Sequence, residues 1–171
     1  LWFFLPAGVA NIAPVLAARY GWWKSLDVPL DRGSYLGKRR LLGDNKTMRG
    51  LLSGVLFGSI TALIQYFLAP AELVGIVPEG SIAAIGWGAL LGFGALLGDL
   101  IKSFFKRRIN IAPGKSWIPF DQVDVVLGVL IVTSPFVTLS FPHIIVAFIL
   151  IGGLMFVVSQ LGVKSGIKKN I

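Results

Sequence analysis

The sequence predicts an all-α, polytopic membrane protein with five transmembrane helices, its N-terminus outside, its C-terminus in the cytoplasm and two long basic loops on the cytoplasmic side. Three observations carry that class. Of 171 residues, 55% are hydrophobic and only 14% charged, with a mean hydropathy of +0.80, whereas a soluble domain carries about 25% charged residues. Residues 1–18, 51–71, 80–98 and 125–163 contain no Asp, Glu, Lys or Arg, and roughly 20 apolar residues of helix cross a hydrocarbon layer of ~30 Å. All 16 Lys and Arg fall in three segments, 19–49, 102–115 and 164–169, the one-sided placement that sets membrane orientation.

The first span covers residues 1–18. Its length alone would suit a signal peptide, but no basic region precedes it and Pro6, Asn11 and Pro14 interrupt it, so it reads as a retained helix. The second covers 51–71 and the third 80–101. The uncharged run 125–163 is 39 residues long, too long for one crossing. Divided at Ser140-Phe141-Pro142-His143, where Pro142 breaks the pattern, it becomes spans at 121–140 and 142–163. The whole chain, 1–171, then forms a single membrane-embedded domain. The connections at 72–79 and 140–143 hold no Lys or Arg, and the former carries Glu72 and Glu79. Those connections therefore lie outside and the basic loops inside the cell membrane. This topology accounts for most of the net charge of +8, so nucleic acid is not an expected partner. Gly50-xxx-Gly54-xxx-Gly58, Gly88-xxx-Gly92 and Gly94-xxx-Gly98 allow close helix approach, either inside the chain or across a homodimer face. There is no Cys and the single His is His143, which excludes thiolate chemistry and makes a His-based zinc site implausible.

Orientation explains the cations but not the acids. Asp99 ends the third span and is followed by Lys102, Ser103, Lys106 and Arg107. At about 100° per residue Asp99, Lys102, Ser103 and Lys106 share a face. A snorkelling, salt-bridged helix end suffices for Lys102 or Arg108. For Asp99 a functional reading is better, because an acid at membrane depth is costly and faces a polar interior. Asp121 and Asp124 lie three apart at the start of the fourth span, after Pro119. Acids in a first turn complement the helix dipole. Yet two carboxylates on one face, joined by Asp99, also supply the hard oxygen ligands that Mg²⁺ prefers, with positions left for phosphate. The third cluster, Asp44-Asn45-Lys46-Thr47-Met48-Arg49-Gly50, opens the second span, where backbone N–H groups and Lys46, Thr47 and Arg49 suit an anion. Simple capping by Asp44 or Asn45 explains each residue of it about as well, and the glycine spacing of a nucleotide P-loop is absent. Asn11 is either interhelical glue or part of a break lining a cavity between Pro6 and Pro14.

Together these motifs resemble the CTP-dependent cytidylyltransferases of phospholipid synthesis. Ser103-Phe104-Phe105-Lys106-Arg107, Lys115, Pro119 and Asp121-Gln122-Val123-Asp124 follow that family's C-terminal signature. Three departures are Ser116 where an Asp would follow the Lys, the missing His-Gly-Gly element, and Gln122 for Arg. Those departures, the Pro6-to-Asn11 opening and the Asp44-to-Gly50 element are similar to the archaeal branch, the CDP-archaeol synthases. The resemblance implies transfer of CMP from CTP to 2,3-di-O-geranylgeranylglycerol 1-phosphate, an isoprenoid lipid, with Mg²⁺ as cofactor. It implies Asp99, Asp121 and Asp124 as metal ligands and catalytic residues together with Lys106 and Lys115. Lys46, Thr47, Arg49, Ser103, Arg107 and Asn11 become candidates for holding CTP or lipid phosphate, with the fourth and fifth spans and a bend at Pro135 as the lipid groove. A synthase acting on phosphatidic acid is the nearest alternative. A transporter would need more midplane polar groups than Asn11, Gln65 and Gln160, and a lipid-holding scaffold would not need its acids.

Overall fold

A computed structural model describes residues 2–68, 80–112, 115, 117–118, 120–138 and 140–164. The connection at 72–79, Pro113, Gly114, Ser116, Pro119 and the tail lysines 168 and 169 lie outside the described residues. Five α-helices follow in chain order: α1 (Leu5–Arg19), α2 (Met48–Leu68), α3 (Ser81–Arg108), α4 (Phe120–Thr133) and α5 (Phe141–Lys164). The loop between α1 and α2 carries a small antiparallel hairpin, β1 (Tyr35–Leu36) and β2 (Arg39–Arg40). Among the described residues three helices are long and apolar enough to cross a membrane, Trp2–Arg19, Met48–Leu68 and Ser81–Arg108, while Val123–Thr133 and Phe141–Leu154 are shorter apolar stretches.

Small residues let the helices meet backbone to backbone. Lipid tails are as apolar as leucine, so helices in a bilayer associate through close van der Waals packing rather than by hiding apolar surface from water. On α1, Ala7, Ala10, Ala13 and Ala17 are buried, and their spacing of three and four places them on one face. A Cβ on Gly58 of α2 would come within 2.7 Å of the Gly88 carbonyl and 3.1 Å of Gly92 Cα on α3. A Cβ on Gly94 would meet Val129 Cα of α4 at 3.1 Å, and one on Gly98 would overlap the Asp124 carbonyl. The glycine-rich faces that could have served a homodimer are thus used inside one chain. Leu91 and Ala95 of α3, Val125, Val126 and Val129 of α4 and Ile151 of α5 fill the core.

Two boundaries differ from expectation. Helix α3 continues to Arg108 instead of ending near residue 101, because its polar stripe finds partners beyond the apolar run. The expected span 121–140 is helical only to Thr133. Pro135 disfavours helical backbone at Ser134 and lacks an N–H of its own, so it ends α4 rather than bending it. Fourteen residues rise only ~21 Å. The chain nonetheless keeps running along α3, where Phe136 stacks edge-on against Trp87 at 6.4 Å between ring centres.

Adding a methyl at Gly98 must push α3 and α4 apart. Gly98→Ala is expected to lower stability by ~1–3 kcal/mol, the usual cost of overpacking. Gly153→Ala, whose added Cβ meets nothing within 4 Å, leaves thermal unfolding in detergent unchanged. Equal melting temperatures for the two variants would contradict the packing.

Candidate active site

The loop from Tyr20 to Thr47 is held by one buried acid. Asp31 accepts hydrogen bonds from the N–H groups of Leu42 at 3.0 Å, Gly43 at 3.1 Å and Gly33 at 3.1 Å, and pairs with Arg40 Nη2 at 2.7 Å. The Arg40 guanidinium, assisted by those amides, holds the Asp31 carboxyl well below the usual carboxylate range. From the end of α3, Arg108 donates to the carbonyls of Leu36 at 3.3 Å and Arg40 at 2.5 Å, which fastens the hairpin to that helix. The loop then presents the start of α2: Leu30 N donates to Lys46 O at 2.7 Å and Met48 N to Val28 O at 2.9 Å. Thr47 is the N-cap, its Oγ1 accepting Gly50 N at 3.2 Å. Lys46 is thereby aimed at α3, where its Nζ pairs with Asp99 Oδ2.

Around Lys102 the three predicted acids converge. Lys102 Nζ lies 3.1 Å from Asp99 Oδ1, 3.1 Å from Asp121 Oδ1 and 2.6 Å from Asp124 Oδ2. Asp99 and Lys102 are one turn apart on α3, while the other two acids come from the first turns of α4. The meeting follows from the packing, because Gly98 lies against the Asp124 main chain and so sets Asp99 beside it. Lys106 Nζ donates to Asp121 Oδ1 at 3.2 Å and also to the Lys115 carbonyl. Asp121 Oδ2 accepts the Trp117 amide, and Asp124 Oδ1 the Val125 amide at 2.8 Å. Carboxylates at this depth need such partners, since an unpaired buried charge is very costly.

The other predicted residues are placed unevenly. Thr47 and Lys46 line a small cavity with Pro14, Asn45 and Asp99, while Asn11 lies one turn before Pro14 on α1. Arg49 pairs with Asp27 at 2.9 Å and is buried there. Ser103 is buried on α3. Arg107 Nε is buried with no hydrogen-bond partner among the described residues. Lys115 reaches the cluster through its carbonyl, its side chain being exposed. Sequence reasoning left Lys102 and Arg108 as a salt-bridged helix end and did not single out Asp31. The i,i+3 spacing of Asp99 and Lys102 was visible, but their sharing of that cation with α4 was not.

A second cavity, of about 370 Å³, opens on the other side of the cluster. Gly98, Ile101, Phe105, Trp117, Phe120, Leu127, Gly128 and Ile131 line it, with Lys102 and Asp124 at its polar edge. Trp117 stacks on Phe120 at 4.2 Å between ring centres. This apolar groove lies between α3 and α4. For a metal, the donor chemistry fits: three carboxylates are hard oxygen ligands of the kind Mg²⁺ takes. Among the described residues no group of three acids stands arranged for an ion as it is; Lys102 Nζ lies between Asp99, Asp121 and Asp124.

The sequence model of the CarS-like CDP-archaeol synthases matches residues 1–170. A CDP-archaeol synthase of Methanospirillum hungatei is 38% identical over 149 residues, covering 83% of this chain and 88% of that one. One from Thermococcus kodakarensis is 40% identical over 145 residues, or 84% and 78% of the two chains. One from Methanoculleus marisnigri is 35% identical and covers 96% and 98%. A solved structure of an intramembrane enzyme for archaeal membrane lipids biosynthesis superimposes with a TM-score of 0.72 at 30% identity, over 94% of this chain and 90% of its own.

Removing the loop's central acid should loosen the presentation of Lys46. Asp31→Asn is expected to lower the melting temperature by roughly 3–8 °C, equivalent to about 2 kcal/mol. Because the folded carboxyl titrates below its unfolded value, its stabilisation is complete above about pH 4 and is lost as pH falls through the lowered value. The gap between wild type and variant should thus stay constant from pH 5 to 8 and shrink in stronger acid. A gap that widens on acidification would contradict the assignment.

Proposed function

The chain belongs to the CDP-archaeol synthase family, and from that membership we propose how its residues transfer CMP from CTP to the phosphate of 2,3-di-O-geranylgeranylglycerol 1-phosphate, giving CDP-archaeol and pyrophosphate. The observation that carries the reading is the convergence of Asp99, Asp121 and Asp124 on one cation position, with a small cavity that Asn45, Lys46 and Thr47 help line on one side and a larger apolar one on the other.

Two polyanions must be brought together, so positioning and charge neutralisation make up most of the work. CTP enters the polar side, where Lys46, Thr47 and the amides at the start of α2 receive its phosphates, with Asn11 one turn from the cavity wall. The lipid lays an isoprenoid chain along the α3–α4 groove, which sets its phosphate at the edge formed by Lys102 and Asp124. An ionised oxygen of that phosphate attacks the α-phosphorus; a new P–O bond forms, the bond between the α-phosphorus and the bridging oxygen breaks, and pyrophosphate leaves with the electron pair. No general base is required, since the nucleophile is already deprotonated. Lys106 fixes Asp121, and Ser103, Arg107 and Lys115 extend the polar rim on which phosphate oxygens can rest. Mg²⁺, held by Asp99, Asp121 and Asp124, would neutralise triphosphate charge and make the α-phosphorus more electrophilic.

We place the site at the cytoplasmic boundary of five crossings, with the N-terminus outside and the C-terminus inside. The basic loops support that orientation. Helix α4 completes its crossing through the non-helical stretch after Thr133, which keeps to the side of α3 at Trp87, where irregular backbone can be shielded from lipid. One chain contains the full set of residues.

Purified protein given CTP, Mg²⁺ and the archaeal lipid phosphate should form CDP-lipid, and phosphatidic acid should serve at least tenfold less well. Asp124→Asn should reduce turnover by at least a hundredfold while preserving the melting profile. Product formation at the wild-type rate by that variant would remove Asp124 from the site, and preference for phosphatidic acid would replace the lipid assignment.

A further inference from the structure

Lys102 occupies an unusual position for a helix-end lysine. Its Nζ is the sole cation among the described residues in contact with all three acids: Lys46 touches Asp99 and Lys106 touches Asp121, but neither pairs with acids of both α3 and α4. Its side chain is only 14% exposed, too enclosed to be a solvated snorkelling group. With Lys46 and Lys106, it balances three carboxylates by three ammonium groups. A divalent ion added to that arrangement would meet a neutral cluster and an occupied centre. The ion can enter only if the ammonium leaves, and lysine is suited to leaving: one compact charge on a four-carbon stem, with rotatable donors. Lys102 also edges the apolar cavity, so a displaced ammonium has open space to move into.

We propose that Lys102 is a resident cation that keeps the three-aspartate site assembled in the absence of substrate, gives up that place to the divalent ion, and transfers its own charge to a substrate phosphate. This rests on the metal reading under Proposed function. Lys102 is then a positioning residue with two stations. In the first it prevents three carboxylates from repelling one another at membrane depth, where an uncompensated charge is costly. In the second it adds a positive charge to the phosphates at the moment the metal arrives. Metal and nucleotide binding become coupled through it, and each must strengthen the other by the same factor.

The test measures Mn²⁺ binding to detergent-purified protein by the loss of the free-ion EPR signal, without nucleotide, for wild type, Lys102→Met and Lys102→Arg. Lys102→Met should bind Mn²⁺ at least tenfold more tightly than wild type, and Lys102→Arg should not. Turnover of Lys102→Met should fall despite the tighter metal, because the charge delivered to phosphate is lost. A second measurement needs no variant: labelling of Lys102 by acetic anhydride, read by mass spectrometry, should rise severalfold when Mg²⁺ is added to wild type. Equal Mn²⁺ affinity in wild type and Lys102→Met, or labelling indifferent to saturating Mg²⁺, would overturn the proposal while leaving the metal site standing. Absence of Mn²⁺ binding in every form, with or without CTP, would overturn both.

Discussion

The close approach of α3 and α4 is the constraint on which the site depends. Gly94, Gly98 and Gly128 leave no room for side chains between the two backbones, and the Asp124 carbonyl lies where a Cβ on Gly98 would be. Only that distance sets Asp99, one residue further along α3, beside Asp124 and lets a single lysine reach both. A bilayer makes such contacts valuable, because helices there gain little from burying leucine and much from backbone proximity. The same packing leaves an apolar groove beside Gly98 and Gly128.

Electrostatics explain why the loop between α1 and α2 is elaborately built. Three acids at the end of a span need counter-charges, and one of them, Lys46, comes from outside α3 and α4. Its position is inherited from Asp31, which gathers the loop's amides and Arg40, and from Arg108, which ties the hairpin back to α3. A surface ion pair would contribute little, but a buried carboxylate with several donors fixes the loop and hence the lysine. A soluble-looking loop therefore shapes the candidate site as much as the spans do.

Much of this was legible in the sequence, and the misses have identifiable causes. Composition and uncharged runs were enough for a helical membrane protein. Asp99, Asp121 and Asp124 stood out because acids at span ends require a reason, and the structure brings those three together. Lys102 was explained away by its neighbour Asp99, since helical periodicity reveals partners on one helix and nothing about the next. Arg49 drew attention for its place at a helix start, and the loop course that brings Asp27 to it is encoded by no local pattern. The early end of α4 was announced by Pro135, but the uncharged run continuing to residue 163 outweighed it.

The central claim is that α3 and α4 hold Asp99 and Asp124 at one shared position. The chain has no cysteine, so a double variant, Asp99→Cys with Asp124→Cys, carries two thiols and no others. Dibromobimane, which fluoresces strongly when it bridges neighbouring thiols, reports on their proximity in the folded protein. The account predicts bridging in the double variant, with the thiol titre falling to near zero and neither single variant fluorescing comparably. Two freely alkylated thiols and no bridged fluorescence in a folded double variant would contradict it.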